Sequence, residues 1–298
     1  MSYNVPSCVA DLGNTGLSNC LDELEHDAML VWTLESFSFT SETSAETEAD
    51  WLTAINAHNA YPMPTFEEIE PTEEEDVEHE TSIGLSLFVR EGKYGGVGRV
   101  RTALCNLANL RTFNSVQGRA FIVTGNGKVY GTSSDGVEFK GFELSKFRVG
   151  KLKGTDGSVP RMVEFKYQFK TPSEMGDYAA VPQLTWNPLT QLVGVVDVTV
   201  AVDSSAEGLV VLSVTRDCDG EGVEGLVEGD FTILASDGST DQLASDGFTD
   251  NEDGTYDFVF ESENVLGDDD YTANLKTPAD QTSGGYESED TDSFTIGV

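Results

Sequence analysis

The residues in this chain with the means to do chemistry are three histidines, four cysteines and a large number of carboxylates. His26, His58 and His79 are far apart in sequence and none falls in an H-E-x-x-H pair, so a zinc-hydrolase reading has no support. Gly125-Asn126-Gly127-Lys128 sets a lysine after a glycine but lacks the G-x-x-x-x-G-K-[ST] spacing of a phosphate loop, and reads as a turn. With 53 Asp and Glu, carboxylate adjacency singles out no acid–base pair. These residues predict no catalytic site and no cofactor. Asp217, Asp219, Asp250 and Asp253, with Asp268-Asp269-Asp270, are oxygen donors of the kind that hold Ca²⁺. None of these runs continues as D-x-[DN]-x-[DN]-G to a closing Glu, so solvated turns are the competing reading. Cys8, Cys20, Cys105 and Cys218 lack metal-like spacing and are too sparse for a disulfide framework, which predicts free thiols in a reducing compartment.

The elements that would carry these residues differ sharply in charge. Residues 1–89 contain no Lys or Arg and 19 acids. Residues 90–170 hold 15 of the 17 basic residues against 6 acids, a local net of +9. Residues 198–298 return to −23, and the whole chain stands at −36. Copies of such a chain repel one another overall, yet the basic block of one can meet an acidic surface of the next. An anionic lipid surface or a nucleic acid is a poor overall partner for a chain of pI 4.1. The start of the sequence has no basic-then-apolar secretory pattern, and no run of about 18 apolar residues is present.

Periodicity gives the elements. Leu30 to Phe39 reads as a strand. Thr43-Ser44-Ala45-Glu46 is a T-x-x-E capping box opening a short helix through Trp51, Leu52 and Ile55. Ile83, Leu85, Leu87 and Val89 alternate as a half-buried strand, which Gly95-Gly96-Val97-Gly98 breaks. Val100, Ala103, Leu104, Leu107 and Leu110 form one apolar stripe on a helix, with Arg99, Arg101 and Arg111 off it. Gly125-Asn126-Gly127 turns one hairpin. Gly154-Thr155-Asp156-Gly157 turns a second, whose strands pair Phe147, Val149, Val163, Phe165, Tyr167 and Phe169 on one face with a largely cationic opposite face. Residues 182–195, with Pro182, Trp186 and Pro188, read as a linker. Beyond it, six short β-branched runs separated by Asp/Gly/Ser clusters predict an antiparallel sandwich of about 100 residues. The expectation is a mainly β chain: a β domain with one or two helices over 1–181, and a sandwich over 196–298.

Two stretches of the last region, Val223-Glu224-Gly225-Leu226 leading to Asp230-Phe231-Thr232-Ile233, and Asp250 to Phe258, resemble bacterial immunoglobulin-like domains. In such domains an Asp–Gly–Tyr stretch of this kind forms a tyrosine corner, and Asp253, Gly254 and Tyr256 take its places. No Cys–Trp–Cys set is present, so the likeness is not to antibody domains. Residues 25–180 look like the tail tube (major tail) proteins of long-tailed bacteriophages, particularly those infecting Bacteroidota. The stretches are Thr81-Ser82-Ile83-Gly84, Gly131 to Gly136 leading into Phe139-Lys140-Gly141-Phe142, Val149-Gly150-Lys151, Asp156-Gly157-Ser158 and the Phe165 to Phe169 strand. That resemblance implies a β-sandwich or barrel with a flanking helix. It also implies six copies closing into rings that stack as a DNA conduit, with the immunoglobulin-like domain displayed outside.

The resemblance gives the charges their expected roles. Lys146, Arg148, Lys151, Lys166 and Lys170 are candidate subunit-interface residues. The densest acidic run, with Glu67, Glu68, Glu70, Glu73, Glu74 and Glu75, would line or fringe the conduit and repel DNA phosphates; the alternative is a solvated loop. Main-chain pairing between strands of neighbouring copies is the expected mode of assembly. The expected partners are the chain itself, other tail proteins and DNA passing without sequence-specific contact, in a tail built in the host cytoplasm. Two other readings stay open: a capsid decoration or connector ring protein of the virion, and a glycan- or cell-surface-binding module.

Overall fold

The computed structural model describes residues 26–296 except residues 84, 103, 155–159, 207, 236–244, 261–269, 290 and 292. It is mainly β and divides into two units, Met1–Val193 and Gly194–Val298. The first carries β1 (Asp27–Leu34), β2 (Ala60–Pro62), β3 (Glu68–Glu73), β4 (Val77–Glu80), β5 (Ser86–Arg90), β6 (Tyr94–Val100), β7 (Gly118–Thr124), β8 (Val129–Thr132), β9 (Phe142–Leu152), β10 (Val163–Phe169) and β11 (Ala179–Ala180). Its helices are α1 (Glu42–Glu46), α2 (Glu48–Asn56), α3 (Leu104–Thr112), α4 (Pro172–Gly176) and α5 (Pro188–Gln191). Five short helices therefore stand where one or two were expected. None of the described helices is long and apolar enough to cross a membrane.

Nine strands form one sheet in the order β11-β8-β7-β9-β10-β6-β3, with β1 joined to β7 and β2 to β1. β7 and β9 pair only at Arg119↔Glu143 and Ala120↔Phe142, so the sheet turns over at that narrow bridge. The two layers close on Leu30, Trp32, Ala120 and Ile122 from one side and Phe147, Val149, Phe165 and Tyr167 from the other. β1 and β7 are buried on both faces. Their second face packs on α1 and α2 through Phe39, Trp51, Phe121 and Phe139, whose rings lie 4.5–5.0 Å apart from Phe39 through Trp51 and Phe121 to Phe139. Aromatic pairs at this spacing contribute beyond the area they bury.

Several local readings are corrected. The N-cap of α1 is Ser41, whose Oγ accepts the Ser44 N–H at 3.2 Å, not Thr43 of the capping box. The chain leaves helix at Thr47 before α2 begins. Gly95, Gly96 and Gly98 do not break a strand: they lie within β6, between β3 and β10. They are needed for closeness, since a Cβ at Gly98 would stand 2.4 Å from the Phe66 ring and one at Gly96 2.6 Å from Tyr167 Oη. Of the expected stripe, Leu107 is buried in the core and Leu110 packs against it, whereas Leu104 faces water and Val100, also buried in the core, belongs to β6 and not to α3. Ala103 lies outside the described residues, as does the turn over 155–157. The residues read as a linker pack on the first unit: the Trp186 indole N–H donates to the Glu46 carbonyl at 2.8 Å and the Gln183 N–H to Glu46 Oε1 at 3.0 Å.

The second unit carries β12 (Val196–Ala206), β13 (Leu209–Arg216), β14 (Phe231–Ala235), β15 (Gly247–Asp250), β16 (Thr255–Val259), β17 (Asp270–Leu275), β18 (Tyr286–Ser288) and β19 (Phe294–Thr295). One sheet runs β15-β16-β13-β12-β18 and the other β14-β17-β19. With β12 to β17 read as strands A to F, these are the A-B-E-D and C-F-G sheets of a constant-type immunoglobulin arrangement. The last strand is split: β19 pairs antiparallel with β17, and β18 pairs parallel with β12. The sandwich is therefore not wholly antiparallel. Leu212, Val214, Phe231, Tyr256, Phe258 and Tyr271 fill its core.

Asp230 locks this sandwich. Its buried carboxylate accepts N–H bonds from Val227 (3.0 Å), Thr282 (2.5 Å) and Ser283 (3.3 Å), tying the start of β14 to the loop after β17. Burial pushes the carboxyl up, but the bonds from Ser283, Val227 and Thr282 outweigh it and hold it below the usual carboxylate range. Its contribution is present above the carboxyl's unfolded titration range and is lost as pH falls through the lowered folded value. Asp230→Asn replaces one of the two accepting oxygens with an NH2 group that meets the Val227 N–H donor if Oδ1 stays on Thr282 and Ser283, and should cost about 1–3 kcal/mol in chemical denaturation of the full chain near neutral pH. That difference should shrink in acid, as the wild-type carboxylate is itself protonated.

Candidate subunit interface

β4 and β5 pair only with each other, as a hairpin outside the nine-stranded sheet. Its register, Glu78↔Phe88, His79↔Leu87 and Glu80↔Ser86, assigns two faces. Leu85, Leu87 and Val89 share one with His79. Phe88, Ser86, Glu78 and Glu80 share the other, where Ser86 Oγ donates to Glu78 Oε2 at 2.5 Å. Both faces are open to water: Leu85 is 54% exposed, Leu87 46%, Phe88 60%, Val89 58% and the turn residue Ile83 86%. The half-buried strand expected here is therefore uncovered. The sequence carried a signal for this, because the partner strand Val-Glu-His-Glu has almost nothing apolar to share a core. At its base the Gly92 N–H donates to Asp76 Oδ1 at 2.8 Å.

The cations expected at the interface divide into two sets. Lys146 and Arg148 are exposed on β9, with Lys166 of β10 opposite Arg148. Among the described residues Lys146, Arg148 and Lys151 form no ion pair. Lys170 is paired with Glu143, and Lys166 lies 3.7 Å from Glu164. Glu164 also draws in Arg99 at 3.4 Å and Lys153. The Lys153 bond, then that of Arg99, lower its carboxyl against the opposing effect of burial. Part of the cationic face is thus neutralised within the sheet.

The acidic run forms β3 and its flanks, at one end of the nine-stranded sheet. Glu67 pairs with Arg101 (2.5 Å), Glu68 and Glu70 with Arg99 (3.1 and 3.3 Å) and Glu74 with Arg90 (3.6 Å). Glu73 and Glu75 have no ion pair among the described residues. The Glu74 N–H bond to the Lys93 carbonyl sets the phase of the β3–β6 ladder, so Pro71, opposite Gly96, turns its main-chain nitrogen to the open edge. That edge lacks a donor at its middle and is lined by acids; the opposite end of the sheet, β11, has two residues. These two edges are poor templates for another strand.

The remaining candidates do not gather. Among the described residues no group of three or more His, Cys, Asp or Glu is placed to hold a metal. Asp217 accepts from Thr199 Oγ1, Asp219 from the Glu221 N–H, Asp250 from the Glu252 and Gly225 N–H groups, and Asp253 from Thr255. Asp268 and Asp269 lie outside the described residues. Asp253 and Gly254 form the turn between β15 and β16, and Tyr256 lies in β16, where its Oη donates to the Val223 carbonyl at 2.6 Å. A tyrosine corner sits at the E–F crossing near the start of strand F. The Asp253–Tyr256 stretch lies instead between strands D and E, and Tyr271 of β17 holds the corner's sequence place. Cys105 and Cys218 are each disulfide-bonded, which overturns the free-thiol expectation for these two. Cys8 and Cys20 lie outside the described residues.

Sequence reasoning missed one titratable cluster. Tyr94 of β6 and Tyr167 of β10 both donate to Asp27 Oδ2 at 3.0 Å, joining β1 to the other layer. Burial, and after it the Asp27 carboxylate, push both phenols above their ordinary range. Positions 27, 94 and 167 share no motif, and only the fold brings them together. Perturbed groups of this kind mark active sites when they line a cleft; these three brace two packed layers.

Comparison with known protein families, with curated proteins and with solved structures returned no match. Tyrosine in an unfolded chain ionises near pH 10. A raised folded value gives stability that is complete below that pH and is lost as pH rises toward the folded value. Stability should therefore fall above about pH 10, and Tyr94→Phe with Tyr167→Phe should flatten that loss while costing about 1 kcal/mol per hydroxyl at neutral pH, as read by denaturation at a series of pH values.

Proposed function

We propose that this chain is a virion structural protein, a ring-forming subunit of a bacteriophage tail tube that displays an immunoglobulin-like unit outside. The observation that carries this reading is the uncovered hairpin of β4 and β5. Leu85, Leu87 and Val89 have the two-residue alternation of a strand meant for burial, yet they stand about half exposed, at 54%, 46% and 58%. Exposed apolar faces of this kind belong to interfaces, and the resemblance of residues 25–180 to tail tube proteins supplies the kind of assembly. The concentration of cations in residues 90–170 supports docking in a fixed order. In this reading DNA passes without sequence-specific contact, and the acids around β3 suit a surface that repels phosphate. The tail is assembled in the host cytoplasm and works after release, where disulfides such as those of Cys105 and Cys218 persist.

Six copies at −36 each carry roughly −200, so salt should favour assembly by screening their repulsion. Sedimentation and negative-stain microscopy of the full chain should show rings or short tubes as protein and salt concentrations rise. Covering half-exposed Leu87 and Val89 gains about 1 kcal/mol each. Leu87→Lys with Val89→Lys should cut assembly at least tenfold with the melting temperature unchanged. Monodisperse monomers of the wild-type chain under all these conditions would sink the reading.

A further inference from the structure

We infer that the second face of the hairpin, where Phe88 lies with Glu78 and Glu80, docks in the groove along β9 of a second copy. This rests on the assembly reading above and names the surface on which the arm lands. On the β7 side, β9 is paired only at Phe142 and Glu143. Beyond them a groove of about 550 Å³ opens between β9 and the segment 114–118. Val116, 48% exposed, stands on one wall and Lys146 and Arg148 on the other. Asn114 closes the end by bonding both main-chain groups of Val149, at 2.6 and 3.1 Å.

Three features of the groove match the arm. Its size suits one aromatic ring and its flanking groups, and Phe88 is 60% exposed, its remaining surface lying beside a shallow hollow with Lys93, Lys170 and Pro172. Lys146 and Arg148 stand two residues apart on a strand, about 7 Å, the same separation as Glu78 and Glu80 on theirs. The two cations form no ion pair among the described residues, and neither does Glu80, while Glu78 is held only by Ser86. A chain of net −36 with 15 of its 17 basic residues in one block has few other places where two carboxylates would be welcome. A complementary aromatic anchor framed by opposite charges is the pattern that gives an interface both affinity and register.

Two full-length variants test this: Glu78→Lys with Glu80→Lys, and Lys146→Glu with Arg148→Glu. All four side chains are exposed, so each variant should keep the wild-type melting profile. Each alone should assemble at least tenfold less than wild type in sedimentation. An equimolar mixture should recover assembly, because every hairpin then meets a groove of opposite sign. If the mixture stays dissociated while wild type forms rings, or if either variant alone assembles as wild type does, the docking site is wrong and the assembly reading stands. If wild type never assembles, both fall.

Discussion

A strand with apolar residues on every second position has a face that must leave water, and the architecture of this chain follows from how each such face is covered. In the first unit the sheet folds over at the two-residue bridge between β7 and β9, so that Phe165 and Tyr167 close on Leu30 and Ile122. β1 and β7, apolar on both faces, receive α1 and α2 as a second cover through Trp51 and Phe39. The second unit meets the same demand with two sheets closing on Phe231 and Tyr256. The hairpin of β4 and β5 is the exception: its alternate apolar residues stay about half exposed. Summed over several side chains, the cost of that exposure is comparable with the few kcal/mol that hold a specific contact together.

Electrostatics decides which contacts are permitted. The first 89 residues hold no cation and the last hundred hold two, so opposite charge is available chiefly in residues 90–170. Much of it is spent within the fold: Arg99 holds Glu68, Glu70 and Glu164, Lys170 holds Glu143, and Arg101 holds Glu67. Of the cations left outward among the described residues, which include Arg111, Lys151 and Arg161, Lys146 and Arg148 stand together beside one groove.

Much of the architecture was legible in the sequence because period-two alternation and turn glycines are local signals. The Gly125–Gly127 hairpin, β9 and β10, and most strands of the second unit could be read this way. The readings that failed depend on what lies across the fold. The glycines of β6 look like a break until Phe66 and Tyr167 are seen to need the space. The alternation of Leu85, Leu87 and Val89 records an amphipathic strand and cannot say that the fold leaves it exposed. The Asp27–Tyr94–Tyr167 brace joins residues more than 60 positions apart, and the short strands β15 and β18 carry too few apolar residues to register.

Pro71 has a consequence beyond its own strand. A sheet whose rim offers a continuous row of donors and acceptors can recruit further strands without end, as a fibril does. Here the missing N–H interrupts that row in mid-strand, and the surrounding glutamates make stacking of like upon like unfavourable. A chain carrying so much β structure is thereby guarded against seeding cross-β aggregates from this rim. Growth by side-chain recognition can stop at a defined size, which open-ended ladder extension does not.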